Sequence, residues 1–215
     1  MITFAFSFLF PFLVLLLVVQ CVAKGVKKMP QGWRLTTILA LISGIIILLP
    51  VRGLPLARWF FGINANFSLP LMAIAFHKAW ENATGSRVLD HNAAMASRIF
   101  GLAAGLGLYP MALGIGGFDP YALGWDTSWL SVFLLIVTIV LLLMKNRFAV
   151  VLIACILGYD LHLLESSNLW DYLVDPFFTL LSFGALIHSL IGIIHTAISG
   201  KKGMDALEKE TARTG

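Results

Sequence analysis

The chain has 215 residues, 59% hydrophobic and 12% charged, with a formal net charge of +4. A soluble domain carries about 25% charged residues, so half of the usual solvating surface is missing and a water-soluble globule is a poor fit. The charge is too small to argue for nucleic acid as a partner, and Cys21 and Cys155 form neither a CxxC nor a metal-ligand spacing.

The apolar residues are bunched into runs near membrane-spanning length instead of lying at amphipathic intervals. That pattern predicts an all-α, polytopic transmembrane helix bundle of about seven spans, forming one domain over residues 1–199 in a lipid bilayer. The first span is predicted near 2–23, with Pro11 as a kink. It lacks the basic start and short apolar run of a signal peptide, so it reads as a retained helix. A basic loop holding Lys24, Lys27, Lys28 and Arg34 follows, and then a second span near 35–51.

The third segment, near 59–80, contains Asn64, Asn66, Ser68, Pro70 and His77, which is polar for a helix in lipid. It is read as a span because Trp59 and Trp80 are 21 residues apart, about 31 Å of helix, close to the thickness of a hydrocarbon core. After a polar connector, a glycine-rich fourth span is predicted near 99–117. Its Gly101 and Gly105 form a GxxxG, and Ala103 with Gly107 a second small pair, both suited to close helix packing. Spans five, six and seven follow near 129–144, 148–164 and 177–199, and residues 200–215 form a polar tail.

Placing the N-terminus outside and the C-terminus in the cytoplasm puts thirteen of the fifteen Lys and Arg residues on the inner side, leaving only Arg52 and Arg58 outside. All six tryptophans then fall at interfaces, as an aromatic belt requires. Short loops and no targeting segment suit a bacterial cytoplasmic (inner) membrane.

This topology gathers Asp119, Asp126, Asp160, Glu165, Asp171 and Asp175 on the outer face, beside His162, Tyr121, Tyr159, Trp170 and Tyr172. Capping accounts for several of these acids. Asn168 and Asp171 read as the start of a short interfacial helix, Asp175-Pro176 as the start of span seven, and Asp119-Pro120 as a turn. Asp160 and Glu165 are left over. With His162 they form the candidate catalytic set, because carboxylate plus imidazole can move protons or hold zinc. Zinc would need a third ligand and no HExxH is present, so no metal is expected.

Ionisable groups at depth are the other candidates. His188 and His195 share one face of span seven, with Gly184 and Gly192 flanking His188. His77 lies at a depth like that of His195. Paired histidines on two helices can ligate haem, which makes His77, His188 and His195 the candidate cofactor residues should haem be present. Capping, packing and interfacial roles explain the same residues without a cofactor, and none is expected.

Three function classes remain. The expected one is a non-enzymatic subunit or accessory partner of a membrane assembly, docking other membrane protein subunits through the acidic, aromatic outer face. The alternatives are a small solute or proton transporter using His188, and an outer-face enzyme acting on a lipid or lipid-linked substrate through Asp160, His162 and Glu165.

Overall fold

A computed structural model describes residues 2–26, 32–125 and 128–214, with side chains as far as residue 196. Asp126, Lys27 and Lys28 lie outside the described residues, as do the side chains of the polar tail. The protein is all-helical, with 76% of residues in helix and a single two-residue hairpin among the described residues.

Pro11 has no N–H to return to the Ser7 carbonyl, and the chain turns at Ser7 and Phe8 between α1 (Ile2–Phe6) and α2 (Leu9–Val26). Helix α3 (Trp33–Leu48) packs against α2 and ends in a hairpin of β1 (Pro50–Val51) and β2 (Leu54–Pro55). The turn residues Arg52 and Gly53 have φ of 51° and 83°, the positive values that a tight two-residue hairpin needs at both central positions.

The third segment departs from the continuous helix expected over 59–80. Helix α4 (Leu56–Trp59) passes into a 3-10 turn at Phe60–Gly62, and regular structure resumes only with α5 (Leu69–Thr84). The polar residues explain the gap. The Asn64 side chain bonds to the Asn66 backbone, its Nδ2 donating to the Asn66 carbonyl at 2.9 Å and its Oδ1 accepting the Asn66 N–H at 3.2 Å. Such local bonds compete with a helical ladder. Pro70, in the first turn of α5, has no N–H that a preceding turn could use.

Helix α6 (His91–Ala112) is capped by Asp90, whose carboxylate accepts the Ala93 N–H at 3.1 Å. It starts eight residues before the predicted fourth span and ends five residues short of it. Helices α7 (Trp129–Leu143) and α8 (Phe148–Asp160) form an antiparallel pair, and the short α9 (Leu169–Leu173) precedes α10 (Pro176–Thr214). Three helices stop in the same way. After α6, α7 and α8 the residues Gly114, Lys145 and His162 take φ of 89°, 54° and 51°, and the paired backbone bonds of a Schellman cap close over each. For α8 the Leu163 N–H reaches the Gly158 carbonyl at 2.9 Å and the His162 N–H reaches Tyr159 at 3.0 Å. This is why α8 ends at Asp160 and not near the predicted 164.

The core joins α2, α5, α6, α8, α9 and α10 around Leu71, Leu152, Phe148, Tyr172 and Phe178, all buried. Helices α6 and α10 make the closest approach. A Cβ on Gly101 would stand 2.5 Å from the Ser182 hydroxyl and 2.7 Å from the Phe178 ring, and one on Gly105 would collide with Thr179. Thr179 in turn donates to the Gly101 carbonyl at 3.3 Å. The GxxxG face is therefore a helix contact within the chain, whereas Gly107 has open space beside it.

Two helical stretches are long and apolar enough to cross a membrane, Ile2–Gly25 with 24 residues and Pro176–Thr196 with 21. Helices α3, α7 and α8 are apolar but shorter, at 16, 15 and 13 residues. Their outward faces expose Leu41, Ile45, Leu135, Ile136, Val150 and Leu157.

Candidate functional site

The two ends of the bundle are chemically different. At one end, the loops before α5, after α6 and after α8 are clasped together by buried polar groups. Asp175 is 2% exposed and accepts four bonds. Two come from Phe177 N–H at 2.8 Å and Phe178 N–H at 3.0 Å, which cap α10. The other two come from the Ser68 N–H at 2.9 Å and the Ser68 hydroxyl at 2.5 Å, which tie the start of α5 to the start of α10. Asn168 is fully buried, caps α9 through the Trp170 N–H at 2.9 Å, and donates to the Tyr121 carbonyl at 3.0 Å. Trp170 Nε1 donates to the Pro120 carbonyl at 2.8 Å, and the Tyr121 hydroxyl donates to Asp171 at 3.0 Å. The buried Tyr172 hydroxyl accepts the Leu164 N–H at 3.1 Å and donates to the Ser166 carbonyl at 3.1 Å.

This network accounts for most of the sequence's acidic cluster. Asp119 accepts the Tyr121 N–H at 2.9 Å, and Glu165 stands 3.8 Å from Arg58. Burial first, and then the charge of Asp171, raise the Tyr121 phenol to about 12, and burial raises Tyr172 as well.

The proposed catalytic residues are not joined to one another. Asp160, His162 and Glu165 are all exposed, and no hydrogen bond or ion pair links them. His162 occupies the left-handed position of the α8 cap, and its carbonyl accepts the Thr3 hydroxyl at 2.7 Å. Among the described residues, no three His, Cys, Asp or Glu side chains are grouped closely enough to hold a metal ion.

The histidines are also separate. His188 and His195 are exposed on α10, and neither lines the cavity described below. Gly184 and Gly192 likewise have no neighbouring atoms, so the groove expected around His188 lies on an open helix face. His77 is half-buried, and its Nδ1 accepts the Leu89 N–H at 3.2 Å, leaving Nε2 as the free nitrogen.

His77 belongs to a site that sequence reasoning missed. At the end of the bundle opposite Asp175, α5, α6 and α10 surround a cavity of about 470 Å³. Helix α5 supplies His77, Lys78 and Glu81, the connector supplies Arg87 and Asp90, α6 supplies Arg98, and α10 supplies Ser182. Glu81 is held by Lys78 at 2.8 Å and Arg87 at 2.9 Å, and these two hydrogen bonds draw its pKa down to about 2. Arg98 has no hydrogen bond or ion pair among the described residues. The Ser182 hydroxyl is 2% exposed and without a partner. A signal was present in the sequence: Lys78 and Glu81 share a helix face at three-residue spacing, and Arg98 lies one helical turn before Gly101-x3-Gly105. By sequence alone Lys78 and Arg98 count only among the inner-side positive charges that set orientation.

Comparison of the chain with protein-family models, with curated proteins and with solved structures finds no match in any of the three.

Proposed function

We propose that the chain is a multi-pass integral membrane protein with seven crossing segments, its N-terminus outside and its C-terminus in the cytoplasm of a bacterial inner membrane. We further propose that it acts as a non-catalytic subunit or accessory partner, docking another membrane protein through its outer face. The long-range hydrogen bonds support the topology, because they join segments assigned to the same side. Thr3 to His162, Ser68 to Asp175 and Trp170 to Pro120 lie outside. Gln20 to Ala79, Lys24 to Asn82 and Arg147 to Val88 lie inside.

One observation carries the docking reading. The outer loops are locked by their own polar network, yet every residue from Met111 to Asp119 is exposed. Within that run Leu113, Ile115 and Phe118 are 83%, 69% and 58% exposed, and Trp125 and Trp129 are exposed beside it. A rigid platform edged with apolar and aromatic side chains is the anatomy of an interface core. No observation favours chemistry at Asp160, His162 and Glu165, or passage of a solute past His188.

The test is a photo-crosslinking residue in place of Phe118 in the native membrane. The expected result is one adduct with a single protein at near one-to-one stoichiometry, lost when Leu113 and Ile115 are changed to Ser in a chain that still folds. Crosslinks to lipid alone, or an adduct indifferent to those changes, would count against docking.

A further inference from the structure

The geometry points to the cavity between α5, α6 and α10 as a binding site for a phosphate-bearing anion, held by Arg98 and Ser182 with His77, and most suitably the headgroup of an anionic lipid. The charge balance favours an anion. Lys78, Arg87 and Arg98 face only two carboxylates, Glu81 and Asp90, which leaves one positive charge. Both acids are already committed, Glu81 to two cations and Asp90 to the Ala93 N–H at 3.1 Å. Arg98 is thus a planar donor with nothing to bind, a form well suited to phosphate oxygens. Ser182 is the second, independent sign. The residue lines this cavity, and its hydroxyl, packed against Gly101, makes none of the bonds that a buried hydroxyl normally makes, so a side-chain rotation toward the cavity would give it a partner. A volume of about 470 Å³ is within the range of small-molecule sites.

The side of the cavity favours lipid over a free solute. Lys78, Arg87 and Arg98 stand on the inner side of the proposed topology, where the headgroups of the inner leaflet lie. A headgroup in the cavity would send its acyl chains back toward the bilayer centre, over Phe177, Leu180 and Leu181 of α10, which are 40%, 66% and 51% exposed. The lipid assignment rests on α10 being a membrane-crossing helix. The anion site does not.

The experiment uses the full chain in nanodiscs of phosphatidylcholine with a minority of phosphatidylglycerol, with retained lipids counted by native mass spectrometry after gentle release. Inorganic phosphate binding to detergent-purified protein is measured in parallel. The expected result is about one phosphatidylglycerol retained per chain. Arg98→Gln should weaken retention roughly tenfold or more, Ser182→Ala less, and Arg98→Lys should restore part of it. Phosphate binding without lipid retention, sensitive to Arg98→Gln, would assign the site to a soluble phosphorylated ligand. Retention or binding that is indifferent to Arg98 and Ser182, or no binding of either probe, would overturn the proposal. Extraction of the chain from membranes by alkaline carbonate would remove the membrane-crossing premise alone, with the phosphate arm still reporting on the cavity.

Discussion

At the scale of single residues, the same side-chain type serves opposite ends according to its partners. Asp160 and Asp175 are fifteen residues apart, yet one is exposed without a hydrogen bond and the other is buried with four donors. Removing the carboxylate of Asp175 leaves the Ser68 N–H and hydroxyl, and two N–H groups of α10, without acceptors in a dry place. Asp175→Ala is therefore expected to destabilise the fold by about 3 kcal/mol, whereas Asp160→Ala should fall within about 0.5 kcal/mol of the parent. Thermal unfolding in one detergent compares the two, and equal losses would refute the clasp. His162 teaches a related lesson. Its type suggested chemistry, but its backbone sits in the left-handed region that closes a helix, a place where glycine is usual. Side-chain identity was legible in the sequence. The φ angle was not.

At the scale of elements, helical length and period were readable, and the ends were not. The seventh segment begins where Asp175-Pro176 announces it, because an acid cap followed by proline is a local signal. The fourth overran its predicted start because the polar residues 91–98 continue the same ladder from the Asp90 cap. Glycine spacing was informative on one face only. Gly101 and Gly105 admit α10, while Gly107 on the same helix meets nothing. Gly105→Ala should thus cost about 1–3 kcal/mol through overpacking against Thr179. Gly107→Ala should be neutral or stabilising by up to about 1 kcal/mol, because alanine is the better helix former. If both substitutions behave alike in thermal unfolding, the α6–α10 contact is not what the GxxxG serves.

At the scale of the whole molecule, the proposed topology puts the short helices and the long one in one bilayer. Helix α8 has 13 residues and α5 has 16, about 20 and 24 Å, against about 30 Å of hydrocarbon. A bilayer meets such a bundle by thinning, by tilt, or by letting water reach polar groups at depth. The cavity at the Lys78 end has the charges to hold water there. The cavity escaped sequence reasoning because it is assembled from segments more than 100 residues apart, His77 against Ser182. Cysteine labelling reads sidedness and depth together. Cys155 is buried and Cys21 exposed, so a Cys21→Ala background suffices. Ser167→Cys should react with an impermeant maleimide on intact cells, and Ser86→Cys only on inverted vesicles. Ala94→Cys, in the cavity wall, should also react in inverted vesicles, as should Ile194→Cys, farther along α10 toward the same side. Silence at both positions would mean that the cavity lies in the hydrocarbon, away from the inner headgroups, and a lipid headgroup would have no place in it.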